Sequence, residues 1–192
     1  HDLQGIFHAI DLHDTIIFKT NNSESINLYT NEKNLSNDDN LIYKACVMLA
    51  QKCNIKIGMD IKLKKQIPLG SGLGGGSSNA AVTLHAINKL YNIQLSKDEL
   101  VTFADKLGSD VPFFIDGGTA YVSGKGNVIK NISSNPKFYV LIFPGIDIST
   151  KQIFEIIADR HYSKPQDLNG LLESEHNSCL LYTSPSPRDS IR

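Results

Sequence analysis

Residues 68–81 read PLGSGLGGGSSNAA, with glycine at five of the fourteen positions and three of those glycines consecutive. That much backbone freedom, set between an alternating apolar stretch and a helix-forming run, narrows what the chain can fold into. Upstream, residues 55–63 (IKIGMDIKL) alternate Ile55, Ile57, Met59, Ile61 and Leu63 with mostly polar residues, which predicts a half-buried strand. Downstream, Ala80, Ala81, Leu84, Ile87 and Leu90 recur at helical spacing and the pattern closes near Asn92. A strand, a glycine loop and a helix whose first turn holds Ser77, Ser78 and Asn79 together suit an anion. Unpaired N–H groups at a helix start favour negative charge, and missing side chains let the backbone approach it. Phosphate is the natural ligand. The bland alternative is a flexible linker before a serine-capped helix, and the tight placement between a clean strand and a helix argues against it.

Two common phosphate motifs fit poorly. Residues 70–75 satisfy GxGxxG, but a dinucleotide fold wants a second strand ending in an acid about 20 residues on. That region instead reads as the start of another helix. Counted from Gly70, the lysine position of a Walker A loop holds Gly76, although Ser77 follows.

Composition restricts the partners. Nineteen basic and twenty acidic residues leave a net charge of −1, so nothing suggests an electrostatic grip on nucleic acid or on a membrane surface, and phosphate recognition has to be local. The longest apolar stretches, such as 111–115 and 139–143, fall far short of the roughly 20 residues of a membrane span. At 192 residues, 41% of them hydrophobic, the chain can pack a core for one domain or one and a half. Cys46, Cys53 and Cys179 lack CxxC spacing, which predicts reduced thiols in a cytosolic-type compartment and no structural zinc. His8, Asp11 and His13 could hint at a metal cluster, but no fourth ligand supports them and a solvated strand face is the simpler reading.

The remaining layout follows from periodicity and caps. A strand is expected at 14–20 (DTIIFKT) and a helix within 37–52, with Leu41, Ile42, Ala45 and Leu49 on one face. Ser96 and Glu99 form a capping box ahead of a stripe of Leu100, Phe103, Ala104 and Leu107 that ends at Gly108. Residues 109–115 (SDVPFFI) read as a strand-like run entered through Asp110, and 119–129 as a hairpin. Residues 137–144 (KFYVLIFP) read as a buried strand opening a second domain. No internal repeat is evident. The first residue is His1 rather than Met, so the start is expected to be missing. The Ser- and Pro-rich end at 178–192 is expected to be a non-native tail, with a disordered native tail as the alternative.

IPLGSGLGGGSSNAA resembles the ATP-binding loop of the GHMP kinases, the family of galactokinase, homoserine kinase and mevalonate kinase. LGGGSSNAA followed by LGSDVPFF, with HDLQ, DDNLIYKA and FPGIDISTKQIF elsewhere, is similar to the branch of that family that phosphorylates a cytidyl diphosphate sugar alcohol in non-mevalonate isoprenoid synthesis. The likeness runs from His1 to about Phe154. It implies an α+β chain with the GHMP-kinase two-domain fold: an N-terminal domain like domain 2 of ribosomal protein S5 over 1–135, lacking its first strand, and the start of a ferredoxin-like C-terminal domain over 136–177.

The resemblance also implies roles. ATP and Mg²⁺ would be the cofactors, magnesium arriving with the nucleotide, and the partner a small molecule; oligomeric state stays open. Pro68, Leu69, Gly70, Ser71, Gly72, Leu73, Gly74, Gly75, Gly76, Ser77 and Ser78 would wrap the phosphates. Asp110 matches the family's catalytic aspartate and is the general-base candidate, a turn or cap role being its alternative. Asn40 and Lys65 fall on the nucleotide side. His1 would recognise the cytosine and Phe154 would stack on it, although in TKQIFEIIA Phe154 also suits a helix core. The family's A-K-[IL]-N strand, whose lysine works with the aspartate, and its late glycine motif have no match, so the 192-residue chain alone is expected to be inactive. The readings kept beside this one are another GHMP small-molecule kinase, a dinucleotide-dependent oxidoreductase, and a non-catalytic nucleotide-binding module. A bacterial cytoplasm is the expected setting, with a plastid copy as the alternative.

Overall fold

The computed structural model describes residues 3–32, 35, 38–135 and 137–143. Ten elements occur among them in the order β1 (Leu3–His8), β2 (Thr15–Thr20), β3 (Ile26–Thr30), α1 (Leu41–Lys52), β4 (Met59–Lys64), α2 (Gly75–Leu90), α3 (Lys97–Leu107), α4 (Phe113–Asp116), β5 (Thr119–Gly124) and β6 (Val128–Asn131). The strands form two three-stranded sheets, β2-β4-β3 and β1-β5-β6. In the first, β4 runs antiparallel to β2 and parallel to β3; in the second, all pairs are antiparallel. This mixture of helices with separate, largely antiparallel sheets is the α+β arrangement the sequence led us to expect.

The core sits on one face of β4. Met59, Ile61 and Leu63 point into it, while Asp60, Lys62 and Lys64 face the other way, the alternation that period 2 requires. Against that face pack Ile42, Ala45, Cys46 and Leu49 of α1, Ala80, Ala81, Leu84 and Ile87 of α2, and Leu100 and Ala104 of α3. Two alanines on α2 allow it to lie close to its neighbours. A smaller cluster of Phe113, Ala120 and Val122, with Phe7 and Ile129 beside it, joins α4 to the second sheet. Phe114 packs against both clusters, so the short helix is the seam between them.

Helix starts and stops follow local chemistry. Asn40 caps α1 by accepting from the Ile42 N–H at 2.9 Å. Ser96 and Glu99 make both halves of the capping box on α3. At the far end of α2 the Tyr91 hydroxyl donates to the Gly58 carbonyl at 2.8 Å and accepts from the Gly58 N–H at 3.0 Å, tying the helix to the residue that leads into β4.

Two expectations need correction. Residues 109–115 are not a strand: Pro112 takes helical dihedrals, Phe114 N–H bonds to Val111 O, and the run closes as a turn followed by α4. A short apolar run has the same composition in a buried strand and in a buried helical turn, and proline at the N-cap tips it toward the turn. Residues 137–143 carry no strand, and Phe138, Tyr139 and Val140 are exposed. Among the described residues no strand pairs with this run, and apolar sequence alone does not make one. Among the described residues Cys46 and Cys53 are free thiols, and burial pushes the Cys46 thiol up to about 12. The hairpin expected at 119–129 forms from β5 and β6, the second strand running on to Asn131. The 178–192 tail and nearly all of the second domain expected at 136–177 lie outside the described residues.

The Tyr91 tie yields a stability prediction. Tyr91→Phe removes the acceptor of the buried Gly58 N–H, and an orphaned buried group costs about 1–3 kcal/mol. The urea midpoint should fall accordingly with an unchanged slope; an unchanged midpoint would show that the tie contributes nothing.

Candidate active site

The loop after β4 rises over the N-terminal end of α2. Gly70, Gly72 and Gly74 take left-handed dihedrals, with φ of 66°, 69° and 67°. At Gly74 a Cβ would also sit 2.8 Å from the Phe114 ring, so any side chain there is excluded twice over. Gly74 is the N-cap of α2 and no side chain caps that helix, in contrast to α1 and α3. The helix therefore begins at Gly75, two residues before the serines, and the first N–H groups have no side-chain acceptor. This removes the serine cap on which the linker alternative rested.

The loop stems are fastened by one carboxylate. Asp14 precedes β2, and the antiparallel register that pairs Thr15 with Lys64 sets Asp14 beside Lys65. Its Oδ1 accepts from the N–H groups of Gln66 and Ile67 at 2.7 and 2.8 Å; its Oδ2 accepts from Asn79 Nδ2 at 2.9 Å and pairs with Lys65 Nζ. The Asp14 and Lys65 side chains are only 1% and 6% exposed. From the other side, Asn31 at the end of β3 accepts from the Lys65 N–H at 2.7 Å and donates to its carbonyl at 3.2 Å.

Above this base lies an open cleft of about 400 Å³. Pro68, Leu69, Gly70, Ser71, Gly72, Leu73, Gly74, Gly75 and Gly76 line it together with Asn40, Lys65 and Asp110, so twelve of the residues nominated from sequence share one cavity. Ser77 and Ser78 belong to the first turn of α2 and do not line it. Asp110 lies in the turn between α3 and α4; it is exposed, and its nearest side-chain partner is Ser109 at 3.4 Å. Its turn shares the cleft with the glycine loop. Asn40 bridges, its amide donating to Leu35 O while its carbonyl caps α1. His1 and Phe154 lie outside the described residues.

Sequence reasoning overlooked Asp14, its bond to Asn79 and the cleft-lining Asp39. The signal for Asp14 was the antiparallel pairing of 14–20 with the strand at 55–63, which places a carboxylate opposite the lysine that opens the loop. His13 Nδ1 bonds the Asp11 carbonyl at 2.6 Å, and no three metal-ligating side chains gather among the described residues. Nor is any helix there long and apolar enough to cross a membrane.

Burial raises the Asp14 pKa, but the Lys65 ammonium, the two backbone N–H groups and Asn79 together outweigh it and hold the carboxyl below the ordinary range. A depressed carboxyl stabilises the fold at any pH above its unfolded value of about 4, and that contribution disappears as the pH drops through the folded value. Denaturation midpoints should therefore fall on acidification, and Asp14→Asn should flatten that acid limb. An acid limb as steep in the variant as in the parent would contradict the assignment.

Residues 40–118 match the family model of the GHMP kinases N-terminal domain. Over 155 residues, or 80% of its length, the chain is 46% identical to 4-diphosphocytidyl-2-C-methyl-D-erythritol kinase of Francisella tularensis subsp. novicida, covering 56% of that protein. It is 39% identical over 180 residues to the enzyme of the same name from Mannheimia succiniciproducens, covering 93% of this chain and 60% of that one. The chain thus spans little more than half the length of these relatives. A crystal structure of 4-(cytidine 5'-diphospho)-2C-methyl-D-erythritol kinase superimposes with a TM-score of 0.75 at 28% identity, over 95% of this chain and 68% of the other. Homoserine kinase from Cytophaga hutchinsonii superimposes at 0.58 and 19% identity over 77% and 53%, a likeness of fold alone. With its uncapped glycine loop, its cleft aspartate and these relatives, the chain carries over residues 40–118 the N-terminal domain of the GHMP kinases.

Proposed function

We propose that the protein carrying this sequence transfers the γ-phosphoryl group of ATP to the 2-hydroxyl of 4-diphosphocytidyl-2-C-methyl-D-erythritol, a step of non-mevalonate isoprenoid synthesis in a bacterial cytoplasm. The observation that carries the proposal is the cleft, which joins an α2 start lacking any side-chain cap to the exposed carboxylate of Asp110. An anion supplies what the helix start lacks, and a triphosphate is an anion of the right reach. Identity of 46% over 155 residues to a kinase of that name supports the choice of acceptor.

The roles follow from what phosphoryl transfer demands. The acceptor oxygen attacks the γ-phosphorus, the bond to the β–γ bridging oxygen breaks, ADP departs, and the hydroxyl proton passes to a base. Loop N–H groups among Gly72 to Gly76 hold the phosphate oxygens, where their dipoles oppose the growing negative charge. Asp110 takes the proton, its exposed position letting a hydroxyl reach it. Magnesium would arrive with ATP and neutralise phosphate charge; Asp39, now paired with Lys44, and Asp110 are the carboxylates lining the cleft that would hold it. Asn40 serves the adenosine side. His1 and Phe154 are proposed for the cytosine on resemblance alone.

The test is mass spectrometry of products when the native gene product meets MgATP and the cytidyl substrate with galactose, homoserine and mevalonate as competitors. A single phosphoryl group on the cytidyl compound is expected, and Asp110→Asn should lower kcat about 10²- to 10⁴-fold while MgATP binding persists. Phosphorylation of a competitor instead would overturn the acceptor, and an active Asp110→Asn variant would overturn the base.

A further inference from the structure

We infer that Asp14 is a positioning residue for nucleotide binding: it fastens both stems of the glycine loop and holds the Lys65 ammonium beneath the start of α2. The inference rests on the kinase reading above and assigns a role to a residue that does not line the cleft.

Three observations carry it. First, the four partners of Asp14 are split across the loop: Lys65, Gln66 and Ile67 lie on the strand side and Asn79 on the helix side. One carboxylate thus sets the distance between the stems, and the stem distance sets where the N–H groups of Gly72 to Gly76 point. Second, Lys65 is displaced from the role a lysine usually takes near phosphate. A Cβ at Gly75 would stand 2.7 Å from Lys65 Nζ, so the ammonium lies directly against the first residue of α2, on the side where Asp14 claims it. Third, the pair is almost wholly buried, so its members have no solvent alternative. Truncating one partner leaves a charge that must either stay unpaired or swing out.

The two charges also matter to the ligand. Paired, they contribute no net charge, and the N–H dipoles of the loop are left as the main attraction for the phosphates. Lys65→Met would leave a carboxylate under the anion site. Asp14→Asn would keep an acceptor for Gln66 and Ile67 but turn a donor toward Lys65 and Asn79, releasing the ammonium and the helix stem.

The experiment measures the Kd of a fluorescent MgATP analogue, then KM and kcat, for the parent, Asp14→Asn, Asp14→Ala, Lys65→Met and the double variant. Tyr91→Phe, which loosens α2 at its opposite end, serves as the control for stability loss. All are compared at temperatures giving equal folded fractions. Asp14→Ala and Lys65→Met are expected to raise Kd and KM for MgATP at least tenfold with KM for the acceptor unchanged, Asp14→Asn severalfold, and Tyr91→Phe not at all. The double variant should bind better than Lys65→Met because no lone carboxylate remains. If the Asp14 and Lys65 variants bind MgATP as the parent does, the positioning role is overturned while the kinase reading stands. If the variants are as well folded as Tyr91→Phe yet KM for the acceptor rises with that for MgATP, the role belongs to general stability and the inference also falls. A parent that binds no MgATP removes the kinase reading and the positioning role with it.

Discussion

A helix that begins on glycine, with no side chain to accept from its first N–H groups, is the constraint around which this fold is arranged. Such an end is costly to bury and is normally capped, as the chain does with Asn40 on α1 and with Ser96 on α3. At α2 the cap is withheld, and the left-handed glycines before it bring the helix start, Gly75 and Gly76, to the wall of a cleft. The left-handed dihedrals at Gly70, Gly72 and Gly74 are cheap only because each is glycine, and Phe114 beneath Gly74 leaves no space for anything larger.

Holding an open loop in one shape requires rigid stems, and the packing provides them. β4 is the central strand of its sheet, fixed by ladders on both sides and by a dry face against α1 and α2. Its last residue delivers the chain to Lys65, clamped by Asn31 from β3 and by Asp14 from the approach to β2. On the exit side, buried Ala80 and Ala81 seat α2 immediately after its first turn, and Asn79 reaches back to the same carboxylate. The turn bearing Asp110 is positioned differently, by buried Val111 and Phe113, which anchor it where the two hydrophobic clusters meet. The phosphate side and the base side of the cleft are therefore supported by different parts of the core.

Much of this was legible in residue order because local rules govern it. The alternation through Met59, Ile61 and Leu63, the helical stripe through Ile42, Ala45 and Leu49, and the Ser96–Glu99 box each act within a few residues, and each appears where the sequence puts it. The loop glycines and Asp110 were legible as a family pattern, and they share one cleft. What escaped depends on partners far along the chain. β3 alternates weakly and exists because β4 offers it a parallel edge; Asp14 looks like an ordinary turn carboxylate until residues 65, 66, 67 and 79 close around it. The apolar run at 109–115 took the helical option, which its composition shares with a strand. Residues 137–143 are irregular, and among the described residues no strand pairs with them.

The central claim is that the N–H groups of the glycine loop receive the phosphates of a nucleotide. Backbone amide chemical shifts of the uniformly ¹⁵N-labelled protein, followed during titration with a non-hydrolysable MgATP analogue, test it without any acceptor present. The account predicts saturable shifts largest at Gly72 to Gly76, smaller ones at Asn40 and Asp110, and little change in β5 and β6. Saturable shifts centred elsewhere, with the loop amides unmoved, would contradict it.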